Sequence, residues 1–274
     1  MSLPHLSRNL TSYDLLKSFA VLLMLVDHVG YYFAPDEAWL RVAGRFCVPV
    51  WFFLIGYARS RDLSPRLWVG AAILVIASGV TGMGFFPFNM LVTIIILRLG
   101  LDAVMAGTQQ SRQALWQIGV LFLALTFITA YAFEYGTLAF VMAMFGWLVR
   151  HQDEYPGGKA RAQNFCLFAA QGFVILQAIN FGFVDNQLIV FGVGITVVMI
   201  SLLFFRPLVF EGTGTGLKMI LLTPLRLLGR YTLEIYVVHL LIFKLVAVTT
   251  QPERFQWFDW RWLPPTAPLL DIAG

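Results

Sequence analysis

Residues 15–33 read LLKSFAVLLMLVDHVGYYF, and this stretch decides the fold because it is apolar for long enough to cross a bilayer. Similar apolar runs recur along the chain and predict about nine membrane-spanning helices. The predicted spans are 15–33, 42–58, 67–85, 88–106, 114–133, 135–149, 164–184, 187–205 and 231–249. A tenth apolar stretch, 217–228, contains charges and a proline, so we interpret it as an interfacial or re-entrant helix.

The composition supports the same class of protein. Of the 274 residues, 59% are hydrophobic and 12% are charged, and the mean hydropathy is +0.76. Soluble domains are about 25% charged, so an ordinary cytosolic enzyme, a disordered scaffold and a disulfide-rich secreted module are excluded. Cys47 and Cys166 stand far apart without a C-x-x-C partner, and no metal site is predicted. We therefore expect an all-α polytopic transmembrane bundle of nine to ten spans, forming one domain over 1–274.

Basic residues fall in alternate loops of this predicted bundle. The net charge is +4, with a pI near 9.2. With the N-terminus in the cytoplasm, the basic residues on the cytoplasmic side are Arg8, Arg59, Arg61, Arg66, Arg112, Arg150, Lys159, Arg161, Arg206, Lys218, Arg226 and Arg230. The outer loops before the last span hold essentially only Arg41. The positive-inside rule thus predicts a cytoplasmic N-terminus and explains the high pI without nucleic acid. The first span is expected to be retained, because Asp27 and His28 interrupt its apolar run and no cleavage site follows.

Charged side chains inside spans are the first candidates for function, since each costs roughly 3 kcal/mol to insert. Lys17 and His28 are eleven positions apart, which places them about 20° apart around a helix and about 16 Å apart along it. Asp14 falls on nearly the same line. Arg45 lies at a depth in the second span similar to that of His28, so neighbouring antiparallel helices could bring the two together.

This layout suits transfer of an acyl group from a cytosolic thioester. Lys17, with Arg59 and Arg61 at the same level, would bind the phosphates of coenzyme A. A buried histidine resists protonation, and neutral imidazole at His28 would act as a base for a hydroxyl or amine. Arg45 would stabilise the oxyanion or hold an acceptor carboxylate.

Each of these side chains also has a purely structural interpretation. His28 and Arg45 could hydrogen-bond or pack between helices, and Lys17 could snorkel to the headgroups. Asp27 points about 100° away from His28 and is expected to serve another helix. The basic residues Arg59, Arg61 and Arg66 could set topology alone.

Two further charged features are predicted to be structural. Arg98 and Asp102 are spaced i, i+4 and are expected to neutralise each other. Lys244 is expected to snorkel outward.

Two other polar residues keep open interpretations. His239 shares a helix face with Tyr236 and would either pack or lie beside His28. Glu134 precedes Tyr135 and Gly136 at an outer turn, where it is either an acceptor-side carboxylate or a surface acid.

Three segments carry a family resemblance. Residues 13–28, 40–57 and 231–240 read YDLLKSFAVLLMLVDH, LRVAGRFCVPVWFFLIGY and YTLEIYVVHL. Together they resemble the TraX family of bacterial membrane proteins, related to the acyltransferase-3 superfamily. The basic residue, ten intervening positions and histidine of that superfamily's first helix correspond to Lys17 and His28. The superfamily's paired arginines on a later helix have no clear counterpart, because Arg41 and Arg45 are spaced differently.

The resemblance implies an acetyltransferase of the bacterial inner membrane. Its donor would be cytosolic acetyl-CoA, and its acceptor an amine or hydroxyl of an envelope protein, glycan or lipid. The best-known family activity is N-terminal acetylation of conjugative pilin, and His28 matches the proposed catalytic histidine, as base or acyl carrier. The predicted reaction-site residues are His28, Arg45, His239, Asp27 and Glu134, and the predicted donor-binding residues are Lys17, Arg59 and Arg61. The alternatives are a transporter or proton-coupled carrier, or a non-catalytic partner of a pilus or secretion apparatus.

Overall fold

The computed structural model describes residues 9–109, 111–154, 157–213 and 215–264, and these residues are almost entirely helical. The helices are α1 (Ser12–Phe33), α2 (Ala38–Arg45), α3 (Cys47–Tyr57), α4 (Pro65–Val80), α5 (Met90–Thr108), α6 (Arg112–Thr129), α7 (Leu138–Arg150), α8 (Gly158–Phe181), α9 (Asp185–Leu203), α10 (Gly216–Leu221), α11 (Thr223–Arg230) and α12 (Thr232–Thr250). Two short strands, β1 (Leu10–Thr11) and β2 (Val209–Phe210), pair antiparallel. Arg8, which was used to predict orientation, lies outside the described residues.

The all-helical membrane class is confirmed, and each predicted span coincides with helix. Six helical stretches of the described chain are long and apolar enough to cross a bilayer. They are Ser12–Phe33, Ala38–Tyr57, Met90–Thr108, Gly158–Phe181, Asp185–Leu203 and Thr232–Thr250. Helices α4, α6 and α7 are apolar but shorter. Nine or ten spans and a cytoplasmic N-terminus therefore stay predictions.

Helix α7 is short because it lies inside the bundle. Its residues from Leu138 to Phe145 are at most 8% exposed, and it packs against α3, α5, α6 and α8. The closest approach is to α3, where a Cβ on Gly56 would come within 1.8 Å of the carbonyl oxygen of Ala143. Gly146 meets Phe53 in the same way. Glycine at both positions allows the two backbones to touch, so α7 forms the centre on which the other helices pack.

Helix α1 organises the side of the bundle that carries the polar residues. A capping box starts it, with the Thr11 hydroxyl accepting from the Asp14 N–H and the Asp14 carboxylate accepting from the Thr11 N–H. Asp14 also forms an ion pair with Arg230 of α11 at 3.4 Å. Further along, α1 packs against α2, α3 and α12. These neighbours surround Asp27 and His28 with protein.

Two predictions about charged side chains are wrong. Arg98 and Asp102 do not pair, because Asp102 accepts from Arg61 at 3.1 Å and Arg98 donates to the carbonyl oxygen of Asp62. Lys244 turns inward and is 7% exposed, and its ammonium donates to the hydroxyl of Ser78 inside the bundle.

The sequence predicts that the stretch 217–228 is not a full span, and the structure agrees. This stretch contains α10 and α11, which have 6 and 8 residues, far fewer than the roughly 20 that a crossing needs. Helix α10 is largely exposed, whereas α11 packs against α1.

Candidate functional site

A cavity of about 500 Å³ lies at the end of the bundle where α1 ends and α2 begins. Its volume is within the range of small-molecule sites. The polar residues that line it are Asp27, His28, Tyr31, Tyr32, Arg41, Arg45, Ser78, Asn89, Thr126, Tyr131, Glu134, Tyr135, Gln177, Asn180, Lys244 and Arg254. Under the predicted orientation, this is the outer end of the molecule. His28 therefore faces a protein-lined cavity whose largely apolar wall carries several charged and polar side chains.

His28 forms a pair with His239 of α12. Nδ1 of His28 lies 2.8 Å from Nε2 of His239, and Nδ1 of His239 lies 2.7 Å from the carbonyl oxygen of Ile235. A carbonyl only accepts, so Nδ1 of His239 carries its proton and Nε2 accepts from His28. Nε2 of His28 is then unprotonated, and it makes no hydrogen bond with any described residue. The arrangement presents a neutral imidazole whose tautomer is fixed by its partner.

The α1–α2 contact holds an ionic cluster around Asp27. Arg45 binds this carboxylate through two nitrogens, with Nε at 3.0 Å from Oδ1. Arg41 lies 3.1 Å from the same carboxylate and donates to the backbone oxygen of Asp27. Both arginines also face the ring of Phe181. A bidentate arginine is the strongest available partner for a buried carboxylate, so Asp27 serves α2, as the sequence predicts, and Arg45 contacts Asp27 and not His28.

A glycine makes this cluster possible. A Cβ on Gly44 would lie 2.2 Å from the Cβ of Asp27, closer than any side chain allows. Glycine therefore lets α2 approach α1 until the two guanidinium groups reach the carboxylate.

The turn between α6 and α7 supplies two more groups. Arg45 donates to the hydroxyl of Tyr135, so this hydroxyl keeps its own proton to donate elsewhere. Tyr135 has φ +67°, a rare conformation for a side-chain-bearing residue and one concentrated at functional sites. Next to it, removal from water raises the pKa of the Glu134 carboxyl to about 7, although the charges of Arg45 and Lys244 act to lower it. Glu134 therefore exchanges a proton near neutral pH.

Comparison with known proteins identifies the family. The family model described as TraX protein matches residues 12–247. The chain belongs to the TraX family. It is also 29% identical over 152 residues to an uncharacterized protein of Rickettsia prowazekii (strain Madrid E), covering 54% of this chain and 60% of that relative. No solved structure matches.

The predicted donor-binding residues of this TraX chain lie away from the cavity. Lys17 is half-buried near Asp14 and Arg98 and forms no hydrogen bond or ion pair with the described residues. Arg59 is exposed. Arg61 is fully engaged, because it donates to the carbonyl oxygens of Ile55, Gly56 and Ala58 and to Asp102. Arg61 thus caps the end of α3, which leaves Lys17 and Arg59 for a ligand.

Apolar side chains separate these two ends of TraX. Val21 and Met24 stand between Lys17 and His28 on one face of α1, and they are 0% and 3% exposed. None of Lys17, Arg59 and Arg61 lines the cavity. The polar stripe predicted along α1 is therefore interrupted in the middle.

Sequence reasoning missed most of the polar residues that line the cavity, among them Tyr135, Gln177, Lys244 and Arg254. Tyr135, Gln177 and Arg254 carried no signal that separates them from other loop and helix-end residues, although Tyr135 stands next to a glycine in a turn. Lys244 was visible as a charge inside a span but was assigned to the wrong side. The position of a charged residue within a span marks it as unusual. Only the packing of the helices shows whether its side chain faces the lipid or the interior of the bundle.

Proposed function

We propose that this TraX protein is an acetyltransferase of the bacterial inner membrane that uses acetyl-CoA as donor. The observation that carries the proposal is that His28, hydrogen-bonded to His239 behind it, lines a cavity inside a helical membrane protein. An imidazole with a fixed tautomer and a free Nε2 has the geometry of a general base. Membership of the TraX family supports the same reaction. The spacing of Lys17 and His28, which resembles the first-helix motif of the acyltransferase-3 superfamily, also supports it.

The proposed reaction joins an amine or hydroxyl to the acetyl group. The amine nitrogen or hydroxyl oxygen of the acceptor attacks the thioester carbonyl carbon, and Nε2 of His28 accepts the proton that this nucleophile loses. The tetrahedral intermediate collapses with cleavage of the C–S bond, and the imidazolium returns the proton to the sulfur of coenzyme A. The products are the acetylated acceptor and free coenzyme A.

The neighbours of His28 would perform the supporting steps. His239 holds the tautomer and shares the positive charge that forms on His28. The Tyr135 hydroxyl, polarised by Arg45, can donate to the oxyanion. Asp27 fixes Arg45 in place, and Glu134 can exchange protons with the acceptor. Lys17 and Arg59 at the basic end are the proposed contacts for the donor phosphates, and the thioester would pass Val21 and Met24 to reach His28.

Acetyl-CoA turnover by the purified protein in nanodiscs tests this function. We expect release of free thiol in the presence of an envelope extract, with a pilin N-terminus as one acceptor to be assayed. Substitution His28→Ala should lower turnover by about 10²-fold or more. His151→Ala is the matched control, because His151 stacks on Trp147 and does not line the cavity.

Wild-type turnover by folded His28→Ala protein would remove His28 from catalysis. Solute flux into liposomes without any acyl donor, together with absent turnover, would replace the proposal with a carrier.

A further inference from the structure

The cavity holds more positive than negative side chains. Four cationic residues line it, Arg41, Arg45, Lys244 and Arg254, against the two carboxylates of Asp27 and Glu134. Arg41 and Arg45 both bind Asp27. Lys244 and Arg254 form no ion pair with a carboxylate among the residues that the structure describes.

The groups in direct contact with the Lys244 ammonium are neutral. The ammonium donates to the hydroxyl of Ser78 at 3.0 Å and contacts the sulfur of Met83 at 3.5 Å. It also lies 5.7 Å from the centre of the Tyr32 ring. The carboxyl of Glu134 acts on it through space, without an ion pair, and a buried ammonium with no carboxylate in contact is costly. A lysine that could instead snorkel to the surface but turns inward to line a cavity is typical of a residue that binds an anion.

Arg254 lies beside the same tyrosine. Its Nη1 lies 3.5 Å from the backbone oxygen of Tyr32 and 2.7 Å from the side-chain oxygen of Gln251. The His28 ring centre is 6.5 Å from that of Tyr32. Lys244 and Arg254 therefore both lie next to Tyr32, and Tyr32 in turn neighbours His28, the proposed base.

We propose that the acceptor carries an acid group, a carboxylate or a phosphate, which binds Lys244 and Arg254 while its hydroxyl or amine faces His28. The volume of about 500 Å³ fits a molecule of the size of a sugar acid or sugar phosphate. This assignment of the acceptor class rests on the proposed acetyl transfer.

Binding of three probes to the purified protein, measured by titration calorimetry without acetyl-CoA, tests the acid subsite. The probes are glucose, glucose 6-phosphate and glucuronate, so that the phosphate and carboxylate forms are compared with one neutral parent. We expect at least one acidic probe to bind at least about tenfold more tightly than glucose, as one charge-assisted hydrogen bond allows. Lys244→Met should remove this preference, and Lys244→Arg should keep most of it. Lys218→Met, on exposed α10, is the control for loss of one lysine elsewhere.

Equal binding of acidic and neutral probes, no binding of either acid at millimolar concentration, or an unchanged preference in Lys244→Met would each overturn the assignment. Arg254→Gln gives a second reading if Lys244→Met does not fold. Acetyl-CoA turnover is measured separately. Turnover without acid preference therefore rejects only the acceptor class, and acid binding without turnover rejects only the transferase.

Discussion

The reactivity of a single residue, His28, depends on which of its nitrogens carries the proton. Its partner His239 is itself fixed by the carbonyl of Ile235, four residues earlier on the same helix. The proton positions therefore follow from one backbone oxygen, without any carboxylate in the chain of hydrogen bonds. In this respect the pair differs from a Ser-His-Asp triad, where a carboxylate orients the imidazole.

Removal of the partner should lower catalysis through orientation of the base. We expect His239→Ala to reduce kcat for acetyl-CoA turnover by roughly 10- to 100-fold, with KM for acetyl-CoA nearly unchanged. His239→Gln should recover part of kcat, because its side-chain oxygen can accept from Nδ1 of His28. A purely structural role would instead reduce the amount of folded protein and affect both variants alike. Equal kcat in His239→Ala and wild type would refute the positioning role.

Charged residues show where sequence reasoning reaches its limit. Asp27 is correctly predicted to serve another helix, because the angle between neighbouring side chains follows from helix geometry alone. The pairing of Arg98 with Asp102 is equally allowed by spacing, yet Arg61 takes the carboxylate. The difference lies in long-range packing, since the position of Arg61 depends on how the end of α3 meets α5. Local periodicity predicts faces, whereas partners across helices need the folded structure.

At the scale of elements, the site depends on how closely helices approach one another. Helix positions could be read from the sequence because apolar runs of this length have few alternatives. The central placement of α7 could not be read, since a short apolar helix predicts burial but not its neighbours. Gly56 allows the close α3–α7 contact and Gly44 allows the close α1–α2 contact, and no pattern in a single sequence separates these two from other glycines in spans.

A methyl group at the α3–α7 contact should therefore disrupt the bundle. In Gly56→Ala the new Cβ would meet the carbonyl oxygen of Ala143 at 1.8 Å, and neither backbone can move without displacing buried neighbours. We expect a loss of about 3 kcal/mol or more of stability, in the range of severe core changes. Thermal unfolding in detergent, followed by the yield of monodisperse protein, measures it.

The matched control for this contact is Gly192→Ala. Its Cβ would have one neighbour within 4 Å, a methyl of Val174 at 3.9 Å. An equally large loss of stability in Gly192→Ala would show that membrane helices of this protein tolerate no added methyl group, and that the α3–α7 contact is not special.

The whole molecule has two polar ends joined by an apolar middle. One end carries Lys17 and Arg59, and the other carries the cavity with His28. Under the predicted orientation and the proposed function, an acetyl group from a cytosolic donor would cross the layer formed by Val21 and Met24. A transferase with substrates on opposite sides of a membrane needs such a layer, because a permanently open passage would leak ions and water.

We expect the rate of acetyl transfer to depend on movement of Val21 and Met24 out of the path between Lys17 and His28. Met24 has an unbranched, adaptable side chain, and a rigid indole in its place would block the line from Lys17 to His28. We expect Met24→Trp to lower turnover of cytosolic-side acetyl-CoA by at least about tenfold, while binding of glucose 6-phosphate in the cavity stays within about twofold of wild type. Leu22→Trp is the control, since Leu22 is 48% exposed on the lipid-facing side of the same helix.

The two readouts separate the possible routes of the donor. If Met24→Trp keeps full turnover in proteoliposomes supplied with acetyl-CoA on one side only, the thioester does not pass along α1. The donor would then enter the cavity from the outer end, where Arg41, Lys244 and Arg254 would meet its phosphates in place of Lys17 and Arg59. If Leu22→Trp loses as much activity as Met24→Trp, bulk on α1 disturbs helix packing in general, and no gate is located at Met24.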